Sequence, residues 1–441
     1  MAQVIPFKGF RYNTSKIDDL SKVMTPPYDV ISPAEQDQFY QMSQYNIIRL
    51  ELGKEEPGDD ECHNKYTRAA RYLKDWIENK ILVQDKQPSF YIYQQQFSLT
   101  NGKAYTRTGF IGLVRLEEFS KGVILPHENT LSKPKADRLQ LMRACEANFS
   151  QIFALYDDPT KKIPSLLKQY IESHSPDIEV EAIPGIIEKL WVVSEHSVIQ
   201  QIQDNMADKK LYIADGHHRY ETALTYRNER MAQNPHHTGD DLYNFVMMMM
   251  VEMEDPGLVI LPTHRAISGI KGFSKEEFLK SAAKDFIVEE HTFSGKTLKQ
   301  RADEMEGLLA EKGSHSFVFY DGDAKSCYVL TLKSMRIMDE RLPQHDISYR
   351  SLDVTILHTL LLEPLLGIGK EQMANQDFIT YTHDLMEGAQ WVEEGRCQMA
   401  FFLNPTSVKQ VKEVSLAGEK MPQKSTYFYP KLLTGLVINK F

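Results

Sequence analysis

The spacing of apolar residues changes repeatedly along the 441-residue chain, and each change predicts an element. Between Glu61 and Lys80, Tyr66, Ala69, Leu73 and Ile77 recur every three or four positions, which predicts an amphipathic helix. Pro26-Pro27 forces the stretch before Tyr28 to be extended. Ser32 then stands as an N-cap, with Pro33 at the first helical position and Glu35 at the third. Residues 89–116 alternate around Asn101-Gly102 and predict a hairpin.

Further on, helices are predicted over 138–148 and 163–174, and a strand over 178–183. Two successive segments, LWVVSEHSVIQQIQDNM and KKLYIADGHHRYETAL, each read strand then helix. The run of Phe245 to Val251 predicts a buried strand, with its four methionines as core. Residues 274–312 read as mainly helical, SFVFYDGDAKSCYVLTL as a second hairpin, 397–405 as a strand and 407–416 as a last helix. Hairpins and strand–helix units together predict an α+β (mixed α/β) protein with mixed sheets and two or three subdomains. We place the regions at 1–115, 116–270 and 271–441.

Composition narrows the function classes. Hydrophobic residues make up 42% and charged residues 25%, as in a globular protein. The net charge of −10 excludes broad nucleic-acid binding, which needs a positive surface. The four cysteines are far apart and form no zinc spacing. The N-terminus has no signal-peptide pattern, and the most apolar stretch is too short to span a bilayer. A cytoplasmic protein with no membrane and no nucleic-acid partner is expected; its oligomeric state is open.

Titratable residues gather at a few points. In ADGHHRYETAL, a predicted strand meets a predicted helix at Asp215-Gly216. Glycine permits a strained turn and close approach of a ligand. The first amides of a helix lack internal partners and attract anions. Arg219 offers a planar fork for phosphate, and His217 and His218 can donate to the same oxygens or move protons. The plainer alternative is that Asp215 caps the helix and the histidines are surface groups.

LPHENTLSKPKADRLQL holds His127, Glu128, Lys133, Lys135, Asp137 and Arg138, with Arg143 and Asn148 just beyond. Pro126 and Pro134 predict an irregular first half. His127 or Glu128 is a candidate general base, and the cations are candidates to hold an anion. DPGLVILPTHR ends an apolar strand on His264 and Arg265, a second candidate phosphate ligand. MPQKSTYFYPKL carries Lys424, Ser425 and Thr426 but lacks the glycine framework of a phosphate loop. Asp29, in PPYDVIS, is a candidate metal ligand or base.

TPPYDVIS, LPHENTLSKPKADRLQL, ADGHHRYETAL, DPGLVILPTHR, and NPTSVKQV with MPQKSTYFYPKL together resemble the bacterial and archaeal family called domain of unknown function 1015. The resemblance implies an association with the phosphoserine route to serine. ADGHHRYETAL is also similar to the Gly-x-His-Arg segment of the ParB/sulfiredoxin-like superfamily, which includes nucleotide-dependent free serine kinases. That likeness implicates Gly216, His218 and Arg219 in phosphate binding, with Asp215 and His217 beside them.

The expected function is kinase-like: nucleotide-dependent phosphoryl transfer to or from a small hydroxy compound such as serine. Gly216, His217, His218 and Arg219 would cradle phosphate, and His127, Glu128, Asp215 and His218 would carry the chemistry. Lys133, Asp137, Arg138, His264 and Arg265 would bind substrate, ATP or ADP would be the cofactor, and magnesium would sit on Asp29 or Asp215. The alternatives are a phosphoserine-type phosphatase and a non-catalytic regulatory protein that binds a nucleotide or phosphorylated metabolite.

Overall fold

A computed structural model describes residues 1–100, 102–130, 132–323, 325–375 and 377–441. The chain forms two compact units. The first comprises Met1–Pro126, Thr130–Val259 and Pro430–Phe441; the second comprises His127–Asn129 and Ile260–Tyr429.

The first unit is built on a mixed sheet of nine strands. In chain order they are β1 (Val4–Ile5), β2 (Phe90–Ser98), β3 (Ala104–Arg115), β4 (Ile124–Leu125), β5 (Ile152–Tyr156), β6 (Ile178–Ile183), β7 (Ile186–Val193), β8 (Leu211–Asp215) and β9 (Phe245–Glu252). Their spatial order is β4-β8-β5-β9-β3-β2-β7-β6, with β1 on β3. The β5–β9 and β4–β8 pairs are parallel, and the other pairs along the sheet are antiparallel. An expected border near residue 115 therefore cuts through one sheet. β2 and β3 pair along their whole lengths and share that sheet with β5, β8 and β9. Asn101, one of the two turn residues expected between β2 and β3, lies outside the described residues; Gly102 has φ +79°.

Every residue of β9 is buried. Met248 and Met250 join Ile152, Ala154, Ile213 and Tyr220 in one apolar cluster, so the methionines are core, as their strand pattern implied. Three helices matter for the site: α1 (Lys65–Glu78), α2 (Ser132–Cys145) and α3 (His217–Gln233). α1 starts at Lys65 rather than Glu61, because the Asn64 side chain caps it by accepting from the Tyr66 and Thr67 amides. It buries Ala69, Leu73 and Trp76, with Trp76 in place of the expected Ile77. α2 begins six residues earlier than expected. Pro134 lies within its first turn, where a missing N–H costs nothing, so the proline does not keep this stretch irregular. The Ser32 cap forms as a full capping box with Glu35.

The second unit carries a six-stranded, wholly antiparallel sheet. Its strands are β10 (His264–Ile267), β11 (Phe286–Thr292), β12 (Ser316–Tyr320), β13 (Ser326–Leu332), β14 (Ile379–Thr382) and β15 (Met399–Leu403), in the spatial order β11-β13-β12-β15-β10-β14. β11 interrupts the expected helical stretch of 274–312. Its three apolar residues run straight into four polar ones, FIVEEHT, with no alternation to mark a strand among flanking helical residues. Among the described residues no helix is long and apolar enough to cross a membrane. Cys145, Cys327 and Cys397 are buried free thiols, and Cys62 is an exposed one.

The last twelve residues return to the first unit. Gln151 donates to the Leu433 carbonyl (3.1 Å), Gln95 to that of Lys431 (3.1 Å), and buried Arg107 to that of Pro430. The Leu433 amide donates to Tyr93 Oη (3.1 Å). Gln95 also donates to Glu188 (3.1 Å), which is fully buried with Tyr93 and Arg107 nearby. Burial pushes the Glu188 carboxyl up to about 7, against Tyr93, Gln95 and the Arg107 charge.

A carboxyl with a raised folded-state value favours folding below its ordinary value of 4.5 and loses that contribution as pH climbs through about 7. Stability should therefore fall across this window by about 3 kcal/mol. Glu188→Gln should flatten the fall in urea denaturation at stepped pH. An unchanged slope in the variant would rule out Glu188 as its source.

Candidate functional site at a strand–helix junction

β8 pairs with β5 through Ile213↔Ala154 and then Asp215↔Phe153, so the register slips at Ala214. Such a bulge re-aims the side chain that follows it. That side chain is Asp215. Its Oδ2 lies 2.7 Å from Nη2 of Arg219, and its Oδ1 lies 2.5 Å from Nζ of Lys431. Arg219 also donates from Nη1 to the Gln151 carbonyl (2.7 Å). Asp215 and Arg219 stand four positions apart, a spacing that lets them meet at the helix start.

Gly216 makes this possible, with φ +93°. A Cβ on it would lie 2.9 Å from the Arg219 guanidinium. In the protein itself the close approach that glycine permits is made by Arg219. α3 starts directly after Gly216, whose lack of a side chain leaves the N-cap position itself without a capping group.

Around the junction lies a second layer. His217 is buried and His218 is half-buried. Burial holds the His218 imidazole below its usual value, Lys135 and Arg219 push the same way, and Asp29 and Glu221 oppose them. Glu221 accepts from Lys135 Nζ (2.7 Å) and Thr130 Oγ1 (2.7 Å). Asp29 is exposed, next to Tyr28, whose ring lies 4.1 Å under the Arg138 guanidinium.

Buried Arg138 donates to the Glu51 carbonyl (2.7 Å) and to Asp137 (2.8 Å). Burial would raise the Asp137 carboxyl, but Arg138 and Lys65 outweigh it and hold it at about 2. The opposite holds at Glu51. There burial wins over Arg138 and a hydrogen bond from Ser150 (2.8 Å), and the carboxyl is raised. A cavity of about 40 Å³ opens between Arg138, Arg219, Glu51 and Ser150, enough for one or two waters. Lys133 is exposed on the first turn of α2.

The remaining candidates belong to the second unit. His127 is fully buried, and its Nε2 lies 3.1 Å from Thr426 Oγ1, which donates to Glu128 Oε1 (3.3 Å). Burial, Arg265 and His383 bring His264 down to about 3, and it accepts from the Leu403 amide (3.3 Å). Arg265 is fully buried, donates to the carbonyls of Thr263 and Lys424, and burial lowers it to about 10. Both side chains help fasten the sheet end and residues 424–426. Ser425 is buried and donates to the Pro422 carbonyl (2.6 Å), so the Lys-Ser-Thr run is a packed turn rather than a phosphate loop.

Among the described residues no three His, Cys, Asp or Glu side chains gather as a metal site. Asp215 already serves two cations, which does not suit a magnesium ligand; exposed Asp29 fits a site completed by phosphate oxygens. The sequence reading missed Lys431, Gln151, Ser150 and Glu51. Lys431 lay in the quoted C-terminal segment, but nothing in its spacing tied it to Asp215, 216 residues earlier.

A mixed α+β fold with a charged junction after an internal strand defines the class. The chain belongs to the family described as protein of unknown function (DUF1015), whose model matches residues 4–355. No curated protein matches the chain.

Among solved structures, it is similar to a conserved hypothetical protein from Pyrococcus furiosus, at 14% identity and TM-score 0.32, over 70% of this chain and 89% of that one. It is similar to a free serine kinase in complex with AMP, at 12% identity and TM-score 0.32, over 70% of this chain and 84% of that one. A third is SbnI with C-terminal truncation from Staphylococcus aureus, at 11% identity and TM-score 0.32, over 74% and 85%.

Gly216→Ala should cost about 1–3 kcal/mol, since alanine disfavours this backbone and meets the guanidinium. Urea denaturation at pH 7 checks it. A variant as stable as the parent would mean that Arg219 moves aside freely.

Proposed function

We propose that the first unit binds a phosphorylated small molecule at the α3 N-terminus and catalyses nucleotide-dependent phosphoryl transfer to or from a small hydroxy compound such as serine. The observation that carries this reading is the start of α3 at Gly216, flanked by half-buried His218 and by Lys135, and backed by the buried Arg219. Helix-end amides and nearby cations suit a phosphate, and phosphoryl transfer asks mainly for positioning and charge neutralisation.

In the forward direction the acceptor hydroxyl gives its proton to His218 Nδ1 or Nε2 as its oxygen bonds phosphorus, and the bond to the nucleotide's leaving oxygen breaks. Burial favours the neutral His218 imidazole, the form that can take that proton. Lys135 and the α3 amides face the phosphate charge, while Arg219 and Asp215 keep the turn in one shape. Magnesium, when bound, would neutralise phosphate charge, with Asp29 as its protein ligand. Under this reading His127 and Glu128 are not needed as the base.

A non-catalytic sensor is the second reading, and the Arg219–Asp215 pair favours it. A ligand that drew Arg219 away would reshape the turn and so report its own binding.

Phosphorus NMR of the protein with ATP or ADP and L-serine separates the two. Turnover is expected, and His218→Ala should slow it about 10²–10⁴-fold. Arg219→Ala should weaken AMP binding in calorimetry by at least about 1.5 kcal/mol. Tight AMP binding without turnover in the parent would leave the sensor reading standing and remove the kinase one.

A further inference from the structure

We infer that the buried carboxylate of Glu51 is a specificity-determining acceptor for a ribose hydroxyl of the nucleotide, taken into the cavity between Arg138, Arg219 and Ser150. The inference rests on the proposed nucleotide-dependent reading.

Glu51 ends a short helical turn, Ile48–Glu51, and is 3% exposed. It is fixed at both ends. Its carbonyl accepts from Arg138 (2.7 Å), and Oε1 of its carboxylate accepts from Ser150 (2.8 Å). Among the described residues no donor reaches the other oxygen, Oε2. The nearby donors are committed elsewhere. Arg138 gives its N–H groups to Asp137 and to the Glu51 carbonyl, and its Nη1 stays 3.6 Å from Oε1. Arg219 gives its own to Asp215 and to the Gln151 carbonyl. A buried carboxylate oxygen without a donor is costly. Burial raises this carboxyl even with both arginines acting on it.

The cavity that Glu51 lines has room for the missing donor. Arg219 and Thr222, three positions apart on one face of α3, line it, with Arg138 and Met142 of α2. It therefore runs alongside the first turns of the helix whose start takes the phosphate in the proposed function. Its volume of about 40 Å³ suits one or two hydroxyl groups.

The donor is a neutral group. An ammonium would share the cavity with two guanidinium groups, and a phosphate or carboxylate would meet the Glu51 charge. A hydroxyl meets neither objection. In the proposed reaction the hydroxyl of the small compound is the reacting one, and its proton goes to His218. Serine has no second hydroxyl. The nucleotide's ribose has two vicinal ones, close in the molecule to its phosphate, and a carboxylate is a strong acceptor for them.

Calorimetry would compare ADP with 2′,3′-dideoxy-ADP on the parent and on Glu51→Gln, each checked for folding by circular dichroism and thermal melting. The parent should bind ADP at least about tenfold more tightly than the dideoxy analogue, as for a hydrogen bond to a charged group. Glu51→Gln keeps the side-chain length and an oxygen for Ser150 but removes the charged acceptor, so the preference should shrink to within threefold. The loss should fall on ADP, with the dideoxy analogue binding the variant within threefold of the parent, which a merely structural role of Glu51 would not produce. A parent that binds both nucleotides equally overturns this inference alone and leaves the cavity to water. So does a folded Glu51→Gln that keeps the preference. If Glu51→Gln does not fold, Glu51→Asp takes its place: its carboxylate is drawn back by one methylene, and a kept preference overturns the inference. If neither folds, the preference of the parent decides. A parent that binds neither nucleotide overturns the nucleotide-dependent reading, and this inference with it.

Discussion

The first unit turns on a single carboxylate held by two cations. Asp215 sits after a bulged strand end and before a helix, and its two oxygens are taken by Arg219 and Lys431. Largely buried ion pairs are costly to desolvate and tolerate loose geometry poorly. The surroundings supply that geometry. The bulge turns Asp215, Gly216 clears the space above the guanidinium, the Gln151 carbonyl takes a further donor, and the backbone of 430–433 is fastened on the lysine side. Each of these features is ordinary alone. Together they put three charged side chains into one fixed arrangement beside the start of a seventeen-residue helix.

Local physics was well visible in the sequence. The Ser32 capping box, the strand–turn–helix run through Asp215-Gly216 and the buried methionine strand all follow from neighbours within a few residues. The start of α2 was misplaced because prolines were read as breakers, although the first turn of a helix accepts them. β11 was missed because a mostly exposed strand shows little apolar pattern. The single sheet spanning residues 4 to 252 could not be seen, since pairing between β3 and β9 joins segments more than a hundred positions apart.

The site was half visible for the same reason. The ADGHHRY segment announces itself through composition, and Arg219 lies in the first turn of α3, as the strand-then-helix pattern implies. What the arginine touches was hidden, because Asp215 and Lys431 are joined only by the fold. At His264 and Arg265 the contacts are structural ones. A strand-end His-Arg pair reads as a binding site from sequence; in the fold both side chains are buried against backbone groups, and burial, then the Arg265 charge, keep the imidazole neutral. Residue type alone does not separate a ligand from a fastener; the partner does.

The return of residues 430–441 to the first unit has a consequence for how the protein is made. Translation delivers β1 through β9 first, then the whole second unit, and only then Lys431. A nascent chain stopped between residue 252 and Lys431 has every strand of the sheet but a charge triad one member short. The junction is therefore finished last, so a ribosome that drops off late releases a molecule whose sheet strands are present and whose Asp215 lacks its second cation.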